Sequence, residues 1–111
     1  MKRYAILAYE SEYSGLHGMY ETAVVEVENE DDACDMADEM GWNVIEDYCL
    51  REEDEEDEQV MEHCPEYEMY EIRPDCEKST RELEEELAEA IETFCAVSIE
   101  DWYIEKYCIK E

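Results

Sequence analysis

The groups in this chain that could do chemistry are two histidines, six cysteines and 36 carboxylates in 111 residues. General acid–base catalysis needs a histidine placed beside a nucleophile or a second titrating group. His17 lies between Leu16 and Gly18 with no such neighbour, and reads as a surface histidine; His63 is the only other histidine. No Gly-rich phosphate loop, nucleophile elbow or His-Glu-x-x-His pattern occurs. No catalytic residue is assigned, and the expectation is a protein that is not an enzyme.

Cys34, Cys49, Cys64, Cys76, Cys95 and Cys108 are spaced 12 to 19 residues apart, with no C-x-x-C pair. Scattered cysteines of this kind read as buried free thiols. A zinc site that uses His63, Cys64 and one or two distant cysteines is the alternative, and disulfides require an oxidising compartment. A calcium loop needs spaced acids, a central glycine and a terminal glutamate. Neither 28–39 nor 52–58 supplies the glycine. The expectation is therefore no dedicated metal and no cofactor, with only loose divalent binding by so acidic a surface.

What remains is the arrangement of the acids. Three clusters stand out as candidate partner-binding residues: Glu30, Asp31, Asp32, Asp35, Asp38 and Glu39; the unbroken run Glu52, Glu53, Asp54, Glu55, Glu56, Asp57 and Glu58; and Glu82, Glu85, Glu86, Glu89 and Glu92. The first and third have helical spacing, where like charges at i, i+4 cost a few tenths of a kcal/mol per pair. An ordinary surface helix interleaves lysine to avoid that cost. Here the first cluster meets no base until Arg51, and the third has only Lys78 and Arg81, at the end where the helix dipole disfavours positive charge. Local stability is surrendered repeatedly in one sense, as expected when a partner uses the charge. The plain alternative is a solvated helix face.

The same bias governs the whole composition. Eight basic residues leave a formal net charge of −28. Solubility alone needs a magnitude of roughly 2–8, and the excess opposes compaction. Acidic chains are often disordered, but disorder goes with few apolar and aromatic residues. This chain is 45% hydrophobic and 11% aromatic, with three glycines and two prolines, so it can fold. Its length fits one domain, 1–111, with an acidic connector near 51–59. No apolar run reaches the roughly 20 residues of a membrane helix. The start reads as a first strand without a signal-peptide cleavage pattern, so the expected location is the cytoplasm. An anionic surface also repels nucleic acid and anionic lipid.

Positioning elements follow from periodicity. Residues 3–10 and 20–28 read as strands joined through Ser14-Gly15-Leu16-His17-Gly18, with both faces of the first strand fairly apolar. Asn29 caps a helix with Ala33, Met36, Ala37 and Met40 in its stripe; Gly41 is a candidate end, although Val44 and Tyr48 continue the stripe and residues 42–50 also fit a strand. The preferred reading carries this helix to about Tyr48. A short helical turn through Val60 and Met61 precedes Pro65, and 67–72 reads as a strand. Ser79 and Glu82 form a capping box that opens a helix over 80–94, with Leu83, Leu87, Ala90, Ile91 and Phe94 on one face. Residues 102–109 alternate as a last strand. The expected fold is α+β in the order β-β-α-β-α-β: a mainly antiparallel sheet of about four strands with two main helices on one face.

Small size, extreme acidity and plentiful aromatics resemble the DNA-mimic inhibitors of phages and mobile elements, including anti-CRISPR and anti-restriction proteins. The resemblance spans the whole chain in composition and charge pattern, and no family motif is matched. It implies an inhibitor that fills the basic nucleic-acid cleft of an enzyme, such as a CRISPR effector or restriction nuclease. Duplex DNA carries one charge per roughly 1.7 Å of axis, so a charge of −28 equals that of about 14 base pairs. The implied partner is a basic nucleic-acid-binding protein, with no direct nucleic acid and no membrane; a homodimer stays open. Tyr13, Tyr20 and Tyr48 are candidate apolar anchors. Three alternatives remain: an immunity or adaptor protein that binds a basic partner without imitating DNA, a halophile's acidic domain, and a metal-binding or enzymatic domain. Six cysteines and a glutamate-to-aspartate ratio of 27 to 9 count against the halophile.

Overall fold

Apolar residues on both parities of one strand require cover on both faces of its sheet, and that requirement organises this protein. The computed structural model describes residues 1–10, 20–51, 65–92 and 97–109. In chain order these form β1 (Lys2–Glu10), β2 (Tyr20–Val27), α1 (Glu30–Arg51), β3 (Pro65–Glu71), α2 (Thr80–Glu89), β4 (Ile91–Glu92), β5 (Ser98–Ile99) and α3 (Asp101–Tyr107). The class is α+β. β1 is the centre of a three-stranded antiparallel sheet of order β2-β1-β3, and β4 and β5 form a separate two-stranded pair.

Tyr4 and Ile6 of β1 join Val25, Val27, Ala33 and Ala37 in one buried layer, beneath α1. Ala5 and Leu7 join Val24, Leu83, Leu87, Tyr103 and Tyr107 in the other, beneath α2 and α3. The expectation of two helices on one face is thereby corrected. Burying only one face would leave half of β1 in water, so α1 takes one side and α2 with α3 the other.

The predicted last strand is also corrected: 101–107 is helix α3. Its β-branched and aromatic residues carry strand propensity, but Tyr103, Tyr107 and Cys108 are the buried positions. That is helical spacing. The Tyr103 and Tyr107 rings meet edge to face at 5.1 Å, as i, i+4 neighbours can. Tertiary burial overrides propensity here. α2 ends at Glu89, short of the expected residue 94, because Ile91 and Glu92 pair with Ile99 and Ser98.

Both predicted caps form. The Asn29 side chain accepts from the Asp32 amide at 2.9 Å, and Ser79 Oγ from the Glu82 amide at 3.2 Å. α1 runs on through 42–51, so Gly41 lies inside it. The reason is contact. A Cβ added at Gly41 would stand 2.7 Å from Cβ of Pro65, at the start of β3. With Ala33 and Ala37, Gly41 makes a stripe of small residues that seats α1 close to the sheet. Gly41→Ala is expected to lower stability by up to roughly 2 kcal/mol. The overpacking cost of about 1–3 kcal/mol exceeds the helix-propensity gain of about 0.8–1.0 kcal/mol. A urea midpoint for the two proteins checks this.

The predicted 14–18 connector, the turn at Val60 and Met61, and Phe94 lie outside the described residues. No described helix is long and apolar enough to cross a membrane.

Candidate functional site

The acids of α1 and those of α2 belong to helices over opposite faces of the sheet, so these two clusters do not form one continuous surface. Glu30, Asp31, Asp32, Asp35, Asp38 and Glu39 are all exposed. Glu30, Asp31 and Asp32 occupy the first turn, where the N-terminal dipole favours negative charge. Further along α1 no such compensation acts. Lys78, Arg81 and Lys106 pair with acids of α2, and among the described residues no α1 acid joins these pairs.

The α2 cluster is different. Lys78 lies 3.8 Å from Glu82 and Arg81 lies 3.5 Å from Glu85. Glu86 accepts from the Tyr107 hydroxyl at 2.6 Å and has Lys78 and Lys106 at 3.4 and 3.8 Å. The Tyr107 hydrogen bond first, then the two lysines, hold its carboxyl below the usual range against the opposing effect of desolvation. Glu86 therefore ties α3 to α2 and is not a free partner contact. Glu89 and Glu92 are exposed, with Glu92 on β4 instead of the helix.

The basic residues explain this asymmetry. Arg3 donates to the carbonyls of Lys78 and Cys76 at 2.6 and 2.8 Å, and Arg73 donates to the carbonyl of Lys106. With Lys78, Arg81 and Lys106, five of the eight bases serve the connection after β3 and the α2–α3 side. α1 receives none of them.

Sequence reasoning named Tyr48 on the α1 side but missed Trp42 and Tyr67. Trp42 is 44% exposed and Met36 40%. Trp42 follows Asp38 by four residues and Asp35 by seven, so its ring stands within the acidic stripe. That spacing was available in the preferred helical reading, but Trp42 entered only as part of the alternative strand pattern. Tyr67 of β3 is also exposed, on the same face of the sheet. Its hydrogen bond with Cys34, then burial, then the neighbouring charges that include Asp38 and Glu30 push its phenol up. Tyr20, by contrast, is partly buried and packs against the α2 and α3 layer, over the other face of the sheet. Tyr13 and the side chain of Tyr48 lie outside the described residues.

The acidic run Glu52, Glu53, Asp54, Glu55, Glu56, Asp57 and Glu58 also lies outside them, as do His17, His63, Cys64 and Cys95. Cys34, Cys76 and Cys108 are free, and burial pushes the Cys108 thiol up to about 11. No group of metal-ligating residues assembles among the described residues.

The two edges of the sheet also differ. On β2, the Val24 amide points outward and donates to the Glu84 carboxylate of α2 at 3.2 Å, and Thr80 donates to Glu26 at 3.0 Å. α2 thus covers that edge. β3 forms the other edge, beside the acids of α1. No family model, curated protein or solved structure matches this chain. Its site defines it only as a small α+β protein with one helix whose exposed acids meet no basic partner among the described residues.

Proposed function

We propose that this chain is a nucleic-acid-mimic inhibitor, which occupies the basic cleft of a DNA- or RNA-handling enzyme such as a CRISPR effector or restriction nuclease. The observation that carries the reading is the outer face of α1: six exposed acids without a basic partner among the described residues, and an exposed tryptophan inside their stripe. Carboxylates at i, i+3 and i+4 stand about 5–6 Å apart, a scale comparable with phosphate spacing along a strand. A fixed row of charge steers a basic cleft onto it quickly and fixes its register. Trp42 supplies the desolvated anchor that charge alone lacks. In this reading the protein has no catalysis, cofactor, nucleic-acid or membrane binding of its own, and acts in the cytoplasm of the cell that holds the enzyme.

The test is affinity capture from a bacterial lysate that carries defence systems, with separate elution by a salt step and by competitor DNA. One basic nucleic-acid enzyme released by both supports the reading. A partner that salt releases and DNA does not would mean binding outside the cleft, as for an adaptor. A smear of ribosomal proteins lost at modest salt would reject specific mimicry.

A further inference from the structure

Among the described residues the outer edge of β3 is paired only at its C-terminal end, where Ile72 bridges Cys108, and the inference drawn from this edge rests on the inhibitor reading in one respect: the partner is basic. The Ile72 amide donates to the Arg3 carbonyl at 2.8 Å, which makes Arg3 and Ile72 a hydrogen-bonded pair of the ladder. Antiparallel pairs alternate between bonded and non-bonded. From the register, Glu71, Met69 and Tyr67 therefore turn their amides and carbonyls away from β1. The Glu71 carbonyl accepts from the Ile109 amide at 2.8 Å on that outer side, as this alternation requires. Among the described residues no backbone hydrogen bond reaches the outward groups of Tyr67 and Met69.

A cavity of about 380 Å³ opens beside this edge. Met69, Ile104 and Ile109 give it an apolar wall, and Tyr4, Glu30 and Glu71 a polar one. The Tyr4 hydroxyl is hydrogen-bonded to Glu71, and burial, with the charges of Glu71 and Glu30, pushes that phenol up. An apolar wall with two carboxylates suits a side chain that is aliphatic along its stem and cationic at its head. A second copy of this chain does not suit it. Pairing β3 with itself would add Glu66, Glu68 and Glu71 of one copy to an edge already acidic, and like charges across strands destabilise.

We infer that the β3 edge receives an extended segment of the basic partner by strand addition, with one lysine or arginine side chain in the cavity between Glu30, Glu71 and Ile109. Main-chain hydrogen bonds to Tyr67 and Met69 hold the segment, and the cavity selects its charge. Tyr67 lies near Cys34 and Asp38 of α1, so this edge continues the acidic face and does not compete with it.

The probe is an acetylated, amidated pentapeptide that alternates valine and lysine, titrated into the whole protein and followed by amide and methyl NMR shifts. Expected are shifts at Tyr67, Met69 and Glu71, with slowed exchange of the Tyr67 and Met69 amides. Glu30→Gln combined with Glu71→Gln should weaken binding roughly tenfold or more, because two charge-assisted contacts are lost. The side-chain amide oxygen that Glu71→Gln introduces can still accept from Tyr4, and the unchanged spectrum of the free variant verifies its fold. Backbone N-methylation of the peptide should abolish the β3 shifts. Equal binding of a valine–glutamate peptide, or shifts confined to α1, would overturn the inference. The second of these outcomes leaves the inhibitor reading intact. Conversely, β3 shifts with no DNA-released enzyme in the capture experiment leave strand addition standing and reject the cleft mimic.

Discussion

Reversal of Asp31, Asp35, Asp38 and Glu39 to lysine is expected to weaken retention of the captured enzyme by about a hundredfold or more. Close charge pairs at a desolvated interface couple by about 1.5–7 kcal/mol each, and reversal adds repulsion to the loss. The matched control reverses Glu82, Glu85, Glu89 and Glu92. Each set moves the formal net charge from −28 to −20, so a partner drawn only by total charge would respond equally to both. A partner seated on α1 responds to the first set far more. Salt dependence sharpens the comparison. Loss of footprint contacts lowers the slope of log affinity against log salt, whereas loss of remote charge mainly slows association.

Stability separates this result from unfolding. On α1 the wild-type acids repel one another at i, i+3 and i+4, and the new lysines would pair with the acids that remain. The melting temperature of the α1 variant should stay level or rise while binding collapses. On α2 the same treatment removes the Lys78–Glu82 and Arg81–Glu85 pairs. These pairs are exposed and screened by solvent, so they contribute little. A fall in retention that matches between the two sets would remove α1 as the footprint.

What could be read from the sequence follows from what each pattern encodes. Asn29, Ser79 and Glu82 mark helix starts because capping is a local bond between neighbours, and both starts are where the spacing puts them. The two apolar parities of β1 were visible as well. Their consequence, a helix layer on each face, is a tertiary demand that no local pattern states. Gly41 was misleading for the same reason. A glycine after an apolar stripe reads as a stop, and only Pro65, 24 positions later in the chain, shows that it makes room for contact. Residues 102–109 alternate well enough for a strand, but Tyr103 donates to the Leu83 carbonyl at 2.8 Å and Tyr107 to Glu86. Those distant acceptors fix a helix. For the site, the sequence revealed where acid is dense. It did not reveal which acids the few bases neutralise, since Lys106 reaches Glu86 across 20 residues of chain.

Leu87→Ala is the substitution expected to cost the fold most, about 2–5 kcal/mol, the range of buried leucine truncations. Leu87 is fully buried in the layer that also holds Leu7, Leu83 and Tyr103. Its neighbours come from the central strand and two helices, so they cannot collapse into the gap without moving α2 off β2. Domains of this size are stable by roughly 5–15 kcal/mol in total, and the loss should lower the melting temperature by roughly 10 °C or more. Salt distinguishes this cost from the charge that also opposes folding. Self-repulsion at −28 is screened as the Debye length falls from about 10 Å at 0.1 M to about 3 Å at 1 M. Both proteins should melt higher in salt, by similar amounts, because a dry cavity has no charge to screen. If the deficit of Leu87→Ala instead closed with salt, the leucine would be acting through the acids around it and not through packing. If neither melting temperature rose, repulsion among the acids would not be opposing the fold, and the argument that charge is held in reserve for a partner would lose its energetic basis.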